Sequence, residues 1–385
     1  MKSGWTTKKL GEVCEILDSR RIPITRKDRK PGHIPYSGAT GQVDSVADYI
    51  FNERLLLLGE DGADWSAGAN SAFIIEGKSW VNNHAHVLRP LDFVSDCWLM
   101  YYLNATDLNE WVSGTTVPKL NQRNMCDIPI PIPPLAEQKR IVAKIDVAFE
   151  KIDSLKTNAE KNLANAKELF QSALDEAMRP KKGWLEKRLG EVCSKIGSGA
   201  TPRGGKASYC SKGISLIRSM NVYDCAFEYS ELAHINDMQA KELANVTIEA
   251  NDVLINITGA SVARCCVVPS DVMPARVNQH VAILRIADNR FLNPDFLCYS
   301  LVAPARKSLL LGIGEAGSTR QALTKTDLSL FKIKIPDIFE QKRIVERVKV
   351  VAQANEALRQ NYARQIADCA EMRQAILREA FEGRL

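Results

Sequence analysis

The chain has 385 residues, 45% hydrophobic and 25% charged, with a formal net charge of +5, an ordinary globular composition that is too long for one typical core and suits two domains with connectors. No apolar run approaches the roughly 18 residues that span a bilayer, which excludes a transmembrane helix. The Met1–Trp5 segment has no apolar signal core and the ten cysteines contain no Cys-x-x-Cys pair, which points to reduced thiols in a cytoplasmic protein and away from a zinc site.

In chain order, Trp5–Cys14 (WTTKKLGEVC) comes first, and it returns 179 residues later as Trp184–Cys193 (WLEKRLGEVC); Cys14 and Cys193 fall in an apolar setting and read as core. Periodicity predicts strands over Asn52–Leu58 and Ser71–Ile75 and a short helix over Asp96–Leu103. Polar residues suited to bases or phosphates gather at the strand ends of this first lobe: Arg26, Lys27, Arg29, Lys30, Ser37, Thr40, Gln42, Asn82, Asn83, His84 and Lys119. Arginine matches guanine, and asparagine or glutamine matches adenine, although any solvated loop carries the same residue types. A hydrogen-bonded structural histidine accounts for His84 at least as well as a functional one.

From Gly114–Ala177 the sequence aligns without a gap to Gly317–Ala380, at a constant offset of 203. The proline-rich Ile128–Pro134 reads as an extended lead-in to a helix that stops at Arg179-Pro180. Within it Ile141, Ile145, Ala148, Ile152, Leu155, Ala159, Asn162, Ala166, Leu169 and Ala173 follow steps of four and three, a heptad seam. About 42 residues at about 1.5 Å each make a rod of about 63 Å.

The second lobe repeats the first. Strands are predicted over Asp252–Ile257 and His280–Ile286 and a helix over Pro294–Leu301, with candidate contacts at Arg203, Lys206, Arg218, Asn221, Asn256, Thr258, Arg264, Asn278, Gln279, His280 and Arg320. A second lead-in, Ile333–Pro336, opens a second helix whose seam is Ile344, Val348, Val351, Asn355, Leu358, Tyr362, Gln365, Cys369, Met372 and Ile376, ending near Gly383. The expected fold is α/β (α+β): tandem lobes at 1–134 and 181–337, joined by long helices at 135–180 and 338–385 that pair antiparallel as a coiled coil with pseudo-two-fold symmetry. Offsets that drift within the lobes mark variable loops. The gapless helices suit a spacer.

Catalytic motifs are missing. There is no methyltransferase cofactor loop with an Asn/Asp-Pro-Pro-aromatic acceptor motif and no phosphate-binding Gly-x4-Gly-Lys-Ser/Thr loop. Asp61, Asp64, Glu76 and Lys78 match a metal nuclease only loosely, and Thr258 stands for Asp61 in the second copy. His84 and His86 suggest a metal or nuclease pair, but Ala282 replaces His86. No catalytic residue and no metal ligand is assigned.

The doubled Trp-x4-Leu-Gly-Glu-Val opening, the doubled Glu-Gln-Lys-Arg-Ile-Val at Glu137–Val142 and Glu340–Val345, and the ending Ile376–Leu385 (ILREAFEGRL) resemble the specificity subunit of type I restriction-modification enzymes (the HsdS family) over essentially the whole chain. The second lead-in departs from the family's Pro-Pro-Leu at Asp337-Ile338-Phe339. The resemblance implies a double-stranded DNA partner read as two unlike half-sites by two target-recognition domains. It also implies two modification subunits that methylate adenine with S-adenosylmethionine and two restriction subunits that use ATP and Mg2+, with no cofactor on this chain. The helices are expected to set the spacing and dock the modification subunits through Glu137, Gln138, Ile141, Ile145, Ile152, Leu155, Glu340, Gln341, Ile344, Val348, Leu358 and Met372. Alternatives are the specificity subunit of a fused modification-restriction enzyme, a self-sufficient nuclease, or a scaffold without DNA function.

Overall fold

The computed structural model describes residues 4–114, 116–315 and 322–385; the candidate contact Arg320 and the start of the second gapless stretch, Gly317–Thr319, lie outside them. The chain divides into two compact units, Met1–Lys161 with Tyr362–Leu385, and Asn162–Asn361. Each unit joins one lobe to one part of each long helix.

In the first unit Thr6–Lys9 pairs antiparallel with Pro129–Ile132, so the proline-rich lead-in is a strand of a two-stranded ribbon. The prolines, which have no N–H to donate, alternate with the buried Ile130 and Ile132. A four-stranded antiparallel sheet follows in the order Cys14–Ile16, Ala85–Pro90, Leu55–Gly59, Ala72–Ile75. The run of four leucines is explained by burial on both faces. Leu56 and Leu58 meet the core of Trp98, Leu99, Ile141 and Ile145, and Leu55 and Leu57 meet that of Phe51, Val81 and Val87, as the two-residue period of a strand requires. A second sheet runs Gly41–Val46, Ile34–Gly38, Lys78–Val81, Phe51–Asn52, with Ile34–Gly38 parallel to Lys78–Val81.

The second unit repeats this plan. Leu185–Arg188 pairs with Lys332–Ile335, a four-stranded sheet runs Cys193–Ser198, Val281–Ile286, Val253–Asn256, Cys265–Val267, and Ile214–Ile217 lies parallel to Ala275–Val277. Val253 and Ile255 face one core while Leu254 faces the other. No single helix among the described residues is long and apolar enough to cross a membrane. The bent pair Pro294–Val302 and Pro304–Glu315 passes by length and composition together, but seven residues of its first helix are buried in this unit.

The long helices span Leu135–Ala177 and Ile338–Phe381. Near each start a glutamine is buried completely. Gln138 accepts from Ser95 N–H at 2.8 Å and donates to the Phe93 and Pro133 carbonyls at 3.1 and 2.8 Å. Gln341 accepts from Asn293 N–H at 2.8 Å and donates to the Phe291 and Pro336 carbonyls at 2.9 Å each. Each amide therefore ties the lead-in, a lobe loop and the helix start together.

Within each unit the helix segments pair antiparallel. Arg373 meets Asp153 and Arg140 meets the Leu385 carbonyl in the first; Asn355 donates to the Ala166 carbonyl at 2.6 Å and Lys181 meets Glu340 at 3.0 Å in the second. Half of the expected seam is correct and half is displaced. Ile145, Ile152, Ala159 and Ala166 on one helix and Val348, Asn355 and Cys369 on the other are buried, whereas Leu155, Leu169, Val351, Leu358 and Met372 are exposed. The inward positions fall one residue later, as with Phe149 in place of Ala148. Residues three and four apart share a helix face, and the choice is made by the lobe: Phe149 stacks edge-on against Tyr101, 5.5 Å between centroids.

Candidate nucleic-acid interface

The turn between Lys78–Val81 and Ala85–Pro90 is built the same way as its counterpart in the second unit. Asn82 is buried, its Oδ1 accepts from His84 N–H at 2.8 Å, its N–H donates to the Ser37 carbonyl at 3.0 Å, and Glu60 N–H donates to the His84 carbonyl at 2.8 Å. Asn278 repeats each bond, with His280 N–H at 3.0 Å, the Ile217 carbonyl at 3.0 Å, and Ile257 N–H to the His280 carbonyl at 2.9 Å. Close approach of the chain fixes a glycine beside the second turn. Gly199 donates to the Asn278 carbonyl, and a Cβ there would sit 1.7 Å from the Val277 carbonyl oxygen.

The two side chains at the tip differ between the units. Asn83 and His84 are exposed, and His84 Nδ1 lies 2.5 Å from Asp61 Oδ1. Gln279 is exposed and His280 half-buried; His280 Nδ1 lies 2.5 Å from Thr258 Oγ1, its Nε2 lies 3.0 Å from Gln279 Nε2, and Gln279 Oε1 meets the Thr201 hydroxyl.

Behind the first tip is a charged network that the sequence reading missed. His86, fully buried, lies between Asp18 Oδ2 at 2.6 Å and the Leu120 carbonyl at 2.7 Å. Arg21 pairs with Asp18 at 3.3 Å and with Glu60, and donates to the Ala85 carbonyl at 2.8 Å. Lys119 reaches the other Glu60 oxygen at 2.8 Å. Burial pushes the Asp18 carboxyl up, but the His86 hydrogen bond and charge, the Val87 N–H and Arg21 outweigh it and hold it below the usual carboxylate range. Burial opposes ionisation of Glu60 too, and Lys119 and Arg21 bring it below its ordinary value.

Asp18, Glu60 and His86 have ligand atoms within 4.8 Å of one another, a spacing a metal ion could bridge. The donor chemistry does not fit one. Both His86 nitrogens face acceptors, and the carboxylates are already matched by Arg21 and Lys119, which a metal would have to displace. The second unit carries Ile257, Ala282 and Ala322 at the positions of Glu60, His86 and Lys119, as the shared backbone bonds show. The same fold thus closes once with a salt-bridge network and once with apolar side chains, the exchange that buried ion pairs tolerate when all members change together.

The remaining candidates separate by burial. Arg26, Lys27 and Lys30, and in the second unit Arg203 and Lys206, are exposed and form no ion pair among the described residues. Thr40 and Gln42 are exposed, Gln42 donating to the Asp44 carbonyl and Ser45 hydroxyl at 3.1 and 3.0 Å. Arg29 pairs with Asp44 at 2.8 Å and covers the Tyr36 ring, Arg264 covers Tyr223, and Arg218 covers Tyr209 while donating to the Glu231 carbonyl.

Ser37, Asn82, Asn221, Asn256 and Asn278 are all buried, and the asparagines hydrogen-bond to backbone groups. Asn221 accepts from Arg218 N–H at 3.0 Å and donates to the Glu228 carbonyl at 2.9 Å, and Asn256 donates to the Ser219 carbonyl at 2.8 Å. Among the expected docking residues, Gln138, Ile141, Ile145, Ile152, Gln341, Ile344 and Val348 are buried inside their own units. Glu137 pairs with Arg140, and Glu340 with Lys181; Leu155, Leu358 and Met372 are exposed. The loose nuclease set is not assembled: Asp64 caps Ser66 N–H, Glu76 pairs with Arg54, and Lys78 lies over Tyr49.

Residues 2–164 and 181–365 each match the family model described as the type I restriction modification DNA specificity domain. A putative type I restriction enzyme specificity subunit of Haemophilus influenzae is 34% identical over 139 residues, 36% of this chain and 36% of that one. The EcoBI specificity subunit of Escherichia coli is 26% identical over 311 residues, 74% of this chain. The matches span 36% and 64% of these two relatives' own lengths. A solved chain from work on complex assembly and conformational transition of the type I R-M system superposes with a TM-score of 0.76 at 22% identity, over 100% of this chain and 99% of that one. At that identity the likeness establishes the fold.

Proposed function

The chain belongs to the type I restriction-modification DNA specificity family, and on that premise we propose that it is the non-catalytic, sequence-reading subunit of a type I restriction-modification complex. Each lobe reads one half of an asymmetric, bipartite site in double-stranded DNA. The long helices set the distance between the halves and dock two modification subunits, with Leu155, Leu358 and Met372 as the docking candidates that remain on the surface. Two restriction subunits complete the assembly. S-adenosylmethionine, ATP and Mg2+ act through these partners, in the cytoplasm where the DNA is.

The observation that carries this reading is the repeated turn: one backbone scaffold, held by the same hydrogen bonds in both units, presents different side chains in each. Two frames of one shape with unlike tips suit a site with unlike halves. Exposed cations without ion-pair partners among the described residues, Arg26, Lys27 and Lys30 in one lobe and Arg203 and Lys206 in the other, supply phosphate contacts that position the frame without reading sequence.

The test is the chain purified with its modification subunits. Duplex binding that weakens steeply with salt, and no cleavage by the chain alone with Mg2+, is the expected result. Cleavage by the chain alone makes it a nuclease, and the absence of salt-sensitive binding makes it a scaffold.

A further inference from the structure

We propose that the Asn83-His84 and Gln279-His280 turns are base-reading heads, one per half-site, in which the carboxamide of Asn83 or of Gln279 reads an adenine in the major groove. The proposal rests on the DNA-reading function above and names the residues that carry it.

Three observations support it. Each carboxamide is exposed at the tip of a turn whose base is fixed by a buried asparagine and two backbone hydrogen bonds, so an accessible reader stands on a fixed mount. The hydrogen-bonding capacity also fits. A carboxamide has two N–H donors and two acceptor lone pairs. Gln279 uses one donor toward His280 Nε2 and one lone pair toward the Thr201 hydroxyl. One donor and one acceptor are left, the pair that the N7 and N6 edge of adenine requires.

In the first unit Asp61, and not the carboxamide, engages the histidine ring, and among the described residues the Asn83 carboxamide has no hydrogen-bond partner. The two heads differ in preorganisation as well. Gln279 is held before DNA arrives, whereas no hydrogen bond among the described residues fixes the Asn83 carboxamide.

The experiment sequences modified adenines in cells carrying the full complex with Asn83→Ala or, separately, Gln279→Ala. Both side chains are exposed, so truncation leaves the cores intact, and an unchanged melting temperature confirms it. In each variant one A·T position of one half-site is expected to become degenerate, its discrimination falling about tenfold, with the other half-site and the spacing unchanged. A motif identical at every position in both variants overturns the proposal. So does modification that weakens equally at all sequences, which is the signature of phosphate contact. If the unaltered chain directs no sequence-specific modification, the specificity function itself fails, and that result is distinguishable from a motif the variants leave intact.

Discussion

Gln138 and Gln341 show how much of the architecture rests on single amides. Each satisfies one N–H and two carbonyls in a buried corner, and truncation leaves those groups without partners. Gln138→Ala or Gln341→Ala is expected to cost about 3 kcal/mol in denaturant unfolding; a loss below about 0.5 kcal/mol contradicts the assignment. The charged network behind the first tip gives a pH-dependent prediction. Asp18 has a folded-state pKa below its ordinary value near about 4, so its contribution is fully present above that value and is lost as pH falls through the lower, folded one. Asp18→Asn is therefore expected to destabilise the protein at neutral pH by an amount that shrinks on acidification. A gap that is constant with pH contradicts the network. These residues were hard to find in the sequence because they come from four distant segments, around positions 18–21, 60, 86 and 119. Their trace was the joint loss of Glu60, His86 and Lys119 to Ile257, Ala282 and Ala322 in the repeat. The buried asparagines are ambiguous in the sequence for a physical reason: the carboxamide that suits a base edge equally suits a turn's own backbone.

At the scale of elements, lengths and order were legible because backbone periodicity is local. The long helices begin at Leu135 and Ile338, which is the constant offset seen in the sequence, and the strands at Leu55–Gly59 and Val281–Ile286 lie within or next to the apolar runs. Helix rotation was not legible, because the lobes set it. Leu155 and Leu169 look like seam leucines and are 55% and 62% exposed, while Ile152 is 3% exposed. Leu155→Ala and Leu169→Ala are expected to change stability by less than about 0.5 kcal/mol, against about 3 kcal/mol for Ile152→Ala. Equal losses at all three positions contradict the observed rotation. If Leu155 docks a modification subunit, its truncation weakens assembly while leaving the melting temperature of the chain unchanged.

At the scale of the molecule, each compact unit takes a part of both long helices, so a lobe is completed by a helix segment that is remote in the sequence. A division by position alone does not show this, although the doubled sequence showed that there are two lobes. A four-residue insertion near Glu160 lengthens one helix and not its partner; it is expected to change the tolerated spacing between half-sites or to abolish assembly. Binding and spacing that are both untouched contradict the spacer role. The claim on which the rest depends is that this chain selects the DNA site. It is tested most directly by sequencing modified bases in a host that carries intact modification subunits, with and without the gene. The account predicts N6-methyladenine at one bipartite motif, with unlike halves at one spacing, only when the gene is present; methylation unchanged by its removal would contradict it.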